Sequence, residues 1–174
     1  MNLSVALSAT IDNTGGPDAG GVEGGNGRQN IGHEYRTKNK VCDRALSVPE
    51  RKDLLSRFAV PSAFSGSPVG DGLYLVTNSF GIPGGFVRTD FSDDGLSVAN
   101  RTTAVHVFVG TIERNFEVSD GVTYSLTHGY GNAGNGTIGR FRDASNTRFG
   151  PGIFNGLDAR AARYADKKFP GCKK

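Results

Sequence analysis

The stretch TTAVHVFVGTIERNFEVSDGVTYSLTHGY, Thr102–Tyr130, governs the reading of the whole chain. It alternates apolar and polar residues over three runs, Ala104–Val109, Ile112–Val118 and Val122–His128, each of which reads as a strand. The apolar side chains of the second run fall at Ile112, Phe116 and Val118, and those of the third at Val122, Tyr124 and Leu126. A period of two puts each set on one face of its strand. The turn between them, Ser119-Asp120-Gly121, admits two registers. A two-residue Asp-Gly turn pairs Val118 with Thr123 and sends the two apolar sets to opposite faces. A three-residue loop with Gly121 left-handed pairs Val118 with Val122, Phe116 with Tyr124, Arg114 with Leu126 and Ile112 with His128. Only the second buries one continuous apolar face, so it is the register expected. It makes Arg114 and His128 diagonal neighbours on one face. An arginine among apolar residues keeps its charge and is costly to bury alone. It therefore pairs with a carboxylate, the plainer reading, or opens onto a cleft that binds an anion.

Outward from this stretch, Gly70–Ser79, Gly85–Phe91 and Leu96–Arg101 read as further strands, separated by Pro83-Gly84-Gly85 and Asp93-Asp94-Gly95 turns. Ser47-Val48-Pro49-Glu50 marks a helix start, with a serine cap, a returning glutamate and proline in the first turn. Leu54, Leu55 and Phe58 form the stripe of that helix, and Pro61 stops it. Helical spacing returns from Asn155, through Leu157, Ala161, Tyr164, Ala165 and Phe169, and ends at Pro170-Gly171. Gly129–Gly139 is expected to be a loop, and His33–Asp43 shows no clean period. The fold class is α+β: a twisted, mainly antiparallel sheet of about six strands, with one helix before it and one after it. Residues 1–30, rich in Gly, Asn and Asp, have the composition of a flexible leader, and residues 31–174 form one domain.

The chain has 174 residues, 26 of them glycine, and a net charge of +3. From Arg140 onward nine Lys/Arg face three aspartates, which suits a polyanion or an acidic partner as well as a plain solvated helix face. No apolar run approaches the ~20 residues of a membrane helix, and the N-terminus lacks a secretory signal pattern. Cys42 and Cys172 match no zinc or CxxC spacing; one long-range disulfide and two free thiols both remain open. No metal cluster or cofactor motif is visible. The glycine loop does not match a phosphate-binding GxxxxGK[ST], and GxSxG is absent.

Chemistry is sought at the histidines. His128 ends a strand beside a glycine loop, where a scaffold holds a side chain and a loop admits substrate. His106 and His128 are suited to be base and acid of an RNA transesterification. Arg114 or Arg101 would then hold the phosphate through planar donors. Thr127 and Tyr124 are further hydrogen-bond donors, Tyr124 being better explained as core. A strand histidine with a structural bond is the plainer reading of His106. His33, in the leader region, is expected to be solvated. Asn155 is read as a helix cap and Asp158 as a first-turn charge. Arg160, Arg163 and Lys167 share a helix face, either a phosphate track or solvent-facing.

One pattern goes further: Asn100-Arg101-Thr102-Thr103, His106, Gly110, Glu113-Arg114, Gly121-Val122, Thr127-His128-Gly129-Tyr130-Gly131, Asn146, Phe149-Gly150-Pro151 and Phe154-Asn155-Gly156-Leu157-Asp158. It resembles the C-terminal toxin modules of bacterial polymorphic toxins, of the Rhs and contact-dependent-inhibition kind, over roughly residues 70–170. The resemblance implies an antibacterial effector carried by a larger secreted protein or secretion apparatus into a target cell. It also implies neutralisation by a cognate immunity protein, and many such modules are metal-independent ribonucleases. The expectation is therefore RNA cleavage by His106 and His128 with Arg114, Arg101 and Thr127 in support, in the target cytoplasm rather than its periplasm. The rivals are a hydrolase of cell-envelope material, which a Cys42–Cys172 disulfide would favour, and a non-enzymatic interaction module.

Overall fold

Asp120 and Gly121 both adopt positive φ, 52° and 76°. That is the requirement of a two-residue hairpin turn, and glycine meets it without steric cost. In this computed structural model, which describes residues 32–61, 66–77, 83–104, 106, 108–134 and 136–172, the turn sets the central register. Ser119 pairs with Val122, Val118 with Thr123, Arg114 with Thr127, Glu113 with His128 and Ile112 with Gly129. The three-residue register expected from the sequence is thus corrected. The apolar sets lie on opposite faces because the Asp-Gly turn chemistry outweighs the gain from one continuous apolar face. Arg114 and His128 consequently point to opposite sides of the sheet.

The elements run β1 (His33–Cys42), α1 (Val48–Phe58), β2 (Gly72–Thr77), β3 (Pro83–Phe91), β4 (Ser97–Thr102), β5 (Thr111–Ser119), β6 (Val122–Gly131) and α2 (Thr137–Lys168). The fold is α+β. Strands β2 to β6 form a meander, and β1 joins its far edge, giving the order β1-β6-β5-β4-β3-β2 with every neighbouring pair antiparallel. The leader expected over residues 1–30 lies outside the described residues. Among the described residues no helix is long and apolar enough to cross a membrane.

Helix α1 starts as its sequence dictates. Glu50 Oε2 accepts from the Ser47 amide at 2.8 Å and from the Ser47 hydroxyl at 2.9 Å, and Leu54, Leu55 and Phe58 are buried. The strand expected over Ala104–Val109 falls partly on Val105 and Val107, which lie outside the described residues. Strand β4 ends at Thr102, and Ala104, His106, Phe108 and Val109 belong to no strand; the His106 amide donates to Thr103 O at 3.0 Å. The place of that expected strand in the count of six is taken by β1. Of the loop expected over Gly129–Gly139, the described residues 132–134 and 136 lie outside any element, whereas residues 129–131 end β6 and residues 137–139 start α2. The last helix begins at Thr137, so Asn155 lies within it rather than capping it.

Both helices pack on one face of the sheet, the inner face. At the α1 end this layer is apolar, with Leu54, Leu55, Phe58, Val76, Val87, Val98, Ile112 and Phe116 buried. Between α2 and strands β1 and β6 it is largely polar. There Arg114 is 1% exposed; its Nη2 donates to Asp158 Oδ1 at 2.8 Å and its Nη1 to Thr127 Oγ1 at 2.6 Å. Ser125 Oγ and Asn39 Nδ2 each donate to Asp158 at 2.8 Å, and the guanidinium lies 5.1 Å from the Phe154 ring centroid. A disulfide joins Cys42, at the end of β1, to Cys172, beyond α2, across a separation of 130 residues. A cross-link that long stabilises by about 5 kcal/mol on chain-entropy grounds.

The Arg114–Asp158 pair yields a test of sign. Removing one partner strands a buried charge and costs ~3–5 kcal/mol. Asp158→Asn is expected to lower stability in the native background. In an Arg114→Met background the same change is expected to raise it, as read from urea midpoints. A loss of stability in both backgrounds contradicts the coupling.

Candidate functional site

The outer face, away from both helices, carries the other half of each strand's side chains. Register places them in three rows across four strands. The middle row runs Arg36, His128, Glu113, Ala99; one neighbouring row holds Glu34, Tyr130, Thr111 and Arg101, and the other Lys38, Leu126, Asn115 and Ser97. A cleft of about 870 Å³ opens over this face, and Arg36, Arg101, Glu113, Asn115, Leu126 and His128 are among its lining residues. That volume falls within the usual range of ligand sites.

His128 stands at the centre, with its side chain 28% exposed. Its Nε2 is 2.9 Å from Glu34 Oε1, and its Nδ1 is 3.8 Å from Glu113 Oε2. The ring lies 4.8 Å from that of Tyr130, centroid to centroid. The Tyr130 hydroxyl donates to Glu113 Oε1 at 3.0 Å. Glu113 thus has one oxygen held by Tyr130 and the other turned toward His128. Arg36 Nη2 donates to Glu34 at 2.9 Å, and this bond, followed by that to His128, holds the Glu34 carboxyl below its usual range. Burial first, and then the bond to Glu113, push the Tyr130 hydroxyl up, so it remains a donor at neutral pH. Arg101, its side chain 53% exposed, lies 3.8 Å from Asp90.

Of the five residues singled out in the sequence, the structure brings His128 and Arg101 together on this face. Arg114 and Thr127 are bonded to each other on the inner face, so the expected phosphate clamp at Arg114 is corrected to a buried ion pair. His106 does not reach the cleft lining. It is 2% exposed in the β4–β5 connection, with Nδ1 accepting from the Phe108 amide at 3.1 Å. Nor is His33 solvated. It is 3% exposed, with Nδ1 2.7 Å from Asp143 Oδ1 and Nε2 2.7 Å from Asn146 Nδ2, tying the start of β1 to α2. Tyr124 lies on the outer face, its ring 4.6 Å from Lys38 Nζ, rather than in the core. The basic residues Arg160, Arg163 and Lys167 belong to α2, across the sheet from the cleft.

Glu113, Glu34, Arg36 and Tyr130 escaped the sequence reading as site residues. The signal was present in the two-residue turn, which alone makes Glu113 and His128 cross-strand partners. Among the described residues no group of three or more His, Cys, Asp or Glu side chains is arranged to hold a metal ion.

No protein-family model matches the chain, and no curated protein matches it. One solved structure it is similar to is protein MLL2253 from Mesorhizobium loti, at 11% identity and a TM-score of 0.47, over 75% of this chain and 98% of that one.

The buried histidines predict a pH dependence of folding. Burial lowers His106 to about 4 from 6.5, and burial also lowers His33, against the opposing pull of Asp143. Between pH 6.5 and 4 the unfolded chain binds protons that the fold refuses, so stability falls as pH drops through that window. For His106 the loss is about 3 kcal/mol. Glu50, lowered to about 2 chiefly by its bond to Arg44, contributes stability above 4.5 that is lost only as pH falls from there toward 2. Urea titrations at pH 7 and pH 4.5 are expected to show a large loss for the native chain and a smaller one for His106→Phe. Equal losses in both contradict the assignment.

Proposed function

We propose that this domain cleaves RNA by transesterification, without a resident metal, as an antibacterial effector. The observation that carries the chemistry is the Glu113–His128 pair, cross-strand partners with Oε2 and Nδ1 3.8 Å apart in an open cleft. A carboxylate and an imidazole so placed supply the two proton transfers that the reaction needs. Glu113 Oε2 takes the 2′-hydroxyl proton, and the 2′-oxygen attacks the adjacent phosphorus. The bond from phosphorus to the 5′-oxygen breaks, and His128 Nδ1–H protonates the leaving oxygen. The products are a 2′,3′-cyclic phosphate and a 5′-hydroxyl. The form of His128 that acts is the imidazolium: its Nε2–H is donated to Glu34, which orients the ring, and its Nδ1–H faces the leaving oxygen. Arg101 and Arg36 offer planar donors to the phosphate oxygens.

The effector role rests on the residues that resemble polymorphic toxin modules, and it brings with it a carrier, a target cell and a cognate immunity protein. A second reading is favoured by specific observations. The Cys42–Cys172 disulfide suits an oxidising compartment, and Glu34 and Glu113 flank His128 as a carboxylate pair of the kind that hydrolyses glycosidic bonds. This is the hydrolase of cell-envelope material.

Expression in the cytoplasm of a bacterium is expected to arrest growth with fragmented total RNA. Glu113→Gln and His128→Ala are each expected to lower kcat/KM on RNA by about 10²–10⁴-fold at unchanged melting temperature. His106→Gln, off the cleft, is expected to keep cleavage per folded molecule. Full activity in both Glu113→Gln and His128→Ala rejects the assignment. Arrest with intact RNA, seen only on periplasmic expression, favours the envelope hydrolase.

A further inference from the structure

We propose that this domain docks on anionic membrane surfaces through the outward face of α2. Apolar side chains of the helix's first half enter the bilayer interface, and cations of its second half lie over the lipid phosphates. The inference goes beyond the RNA-cleaving reading and does not rest on it. In its first half α2 buries Gly139, Asp143, Asn146 and Gly150, and the last three meet His33 and Tyr35 of β1. Its bulky apolar residues point elsewhere: Ile138 is 71% exposed, Phe141 72% and Phe149 55%. A helix that only covers a sheet has the reverse arrangement, with its apolar stripe inward and its polar residues outward. Single exposed apolar residues are ordinary, but three on one face within about three turns form a patch that marks a contact surface.

The same face continues as a cationic one. Ile138, Phe141, Phe149, Arg160, Arg163 and Lys167 fall in one row of three- and four-residue steps, with Ser145, Gly152 and Gly156 as the small residues between them. Arg142 and Arg148 flank the apolar part, and the Arg148 guanidinium lies 5.8 Å from the Phe149 ring centroid. The helix holds seven Lys/Arg and three aspartates. Asp143 and Asp158 are buried and bonded to His33 and Arg114, so exposed Asp166 is the remaining carboxylate of the helix. Apolar residues beside arginines and lysines are the composition of helices that lie in the plane of an anionic interface. Shape favours the bilayer over an acidic protein. Side chains standing out from a convex helix need a matching groove in a protein, whereas a bilayer interface closes around them. Nucleic acid would use the cations and leave the three apolar side chains in water. Because α2 covers the inner face of the sheet, a domain lying on this helix keeps its cleft open and turned away from the membrane.

The chain contains no tryptophan, so Phe141→Trp places a single fluorescent reporter on this face. In co-sedimentation the full chain is expected to bind vesicles of equal parts phosphatidylglycerol and phosphatidylethanolamine. Vesicles of phosphatidylcholine alone are expected to bind it at least roughly tenfold more weakly. The emission of Phe141→Trp is expected to shift to the blue on the anionic vesicles. Phe141→Ser is expected to weaken that binding about tenfold, and Arg163→Gln and Lys167→Gln about fivefold each, all at unchanged melting temperature. Vesicle binding by a chain that does not cleave RNA keeps the inference and rejects only the ribonuclease. Binding that Phe141→Ser leaves unchanged, or an emission that does not shift, overturns it. Absence of binding to the anionic vesicles also overturns it, and leaves an acidic protein as the occupant of this face.

Discussion

Two residues with positive φ, Asp120 and Gly121, fix which side of the sheet does what. A side chain changes face with every residue, so a slip of one position at this turn exchanges the inner and outer sets along β6 relative to β5. The two-residue turn sets Arg114 beside Thr127 and within reach of Asp158, and it sets Glu113 beside His128. One turn thereby determines both the buried ion pair and the open acid–base pair. Gly121 is left-handed in either register; positive φ at Asp120 as well is what the two-residue turn requires, and that turn prevails over the more obvious apolar alignment.

The layer beneath α2 combines paired polar groups with buried apolar side chains, Phe154 and Leu157 of the helix and Tyr35 of β1 among them. Arg114 and Ser125 with Asp158, and His33 with Asp143 and Asn146, join three strands to the helix through bonds of 2.7–2.8 Å. Such groups add little net stability compared with apolar residues of the same size, yet breaking any one of them is costly. They fix the rotation and height of α2 on the sheet, because the Asp158 carboxylate of the helix is held from more than one strand. Gly150 lets the helix approach closely: a Cβ there would lie 2.5 Å from the Tyr35 ring. The disulfide then ties the end of β1 to the far end of the same helix.

Much of this was legible in the sequence, and what was not shares one physical cause. Helix α1 announced itself through Ser47, Glu50 and its apolar stripe, and the meander through alternation and turn residues. Strand β1 faces inward with His33, Tyr35, Thr37 and Asn39, and the first half of α2 with Gly139, Asp143, Asn146 and Gly150. Their periodicity is real, but polar residues and glycines carry it, so hydrophobicity does not reveal it. The residues chosen for chemistry divided in the same way. The side chains of Arg101 and His128 reach the cleft; Arg114 and Thr127 also line it, but their side chains, like that of His106, are bonded in the interior. Glu113 was hidden by the register alone.

The cleft face holds Glu113, His128, Arg101 and Arg36, with Tyr130 bonded to the Glu113 carboxylate, and the proposed reaction moves a proton off a ribose hydroxyl and onto a leaving oxygen there. Its central claim concerns the bond made as well as the bond broken. Phosphorus NMR of a dinucleotide incubated with the purified domain tests it most directly. The account predicts a cyclic 2′,3′-phosphodiester as the first product, with a free 5′-hydroxyl on the partner fragment. A first product bearing a 5′-phosphate and an intact 2′,3′-diol would show that water attacked instead, and would contradict it.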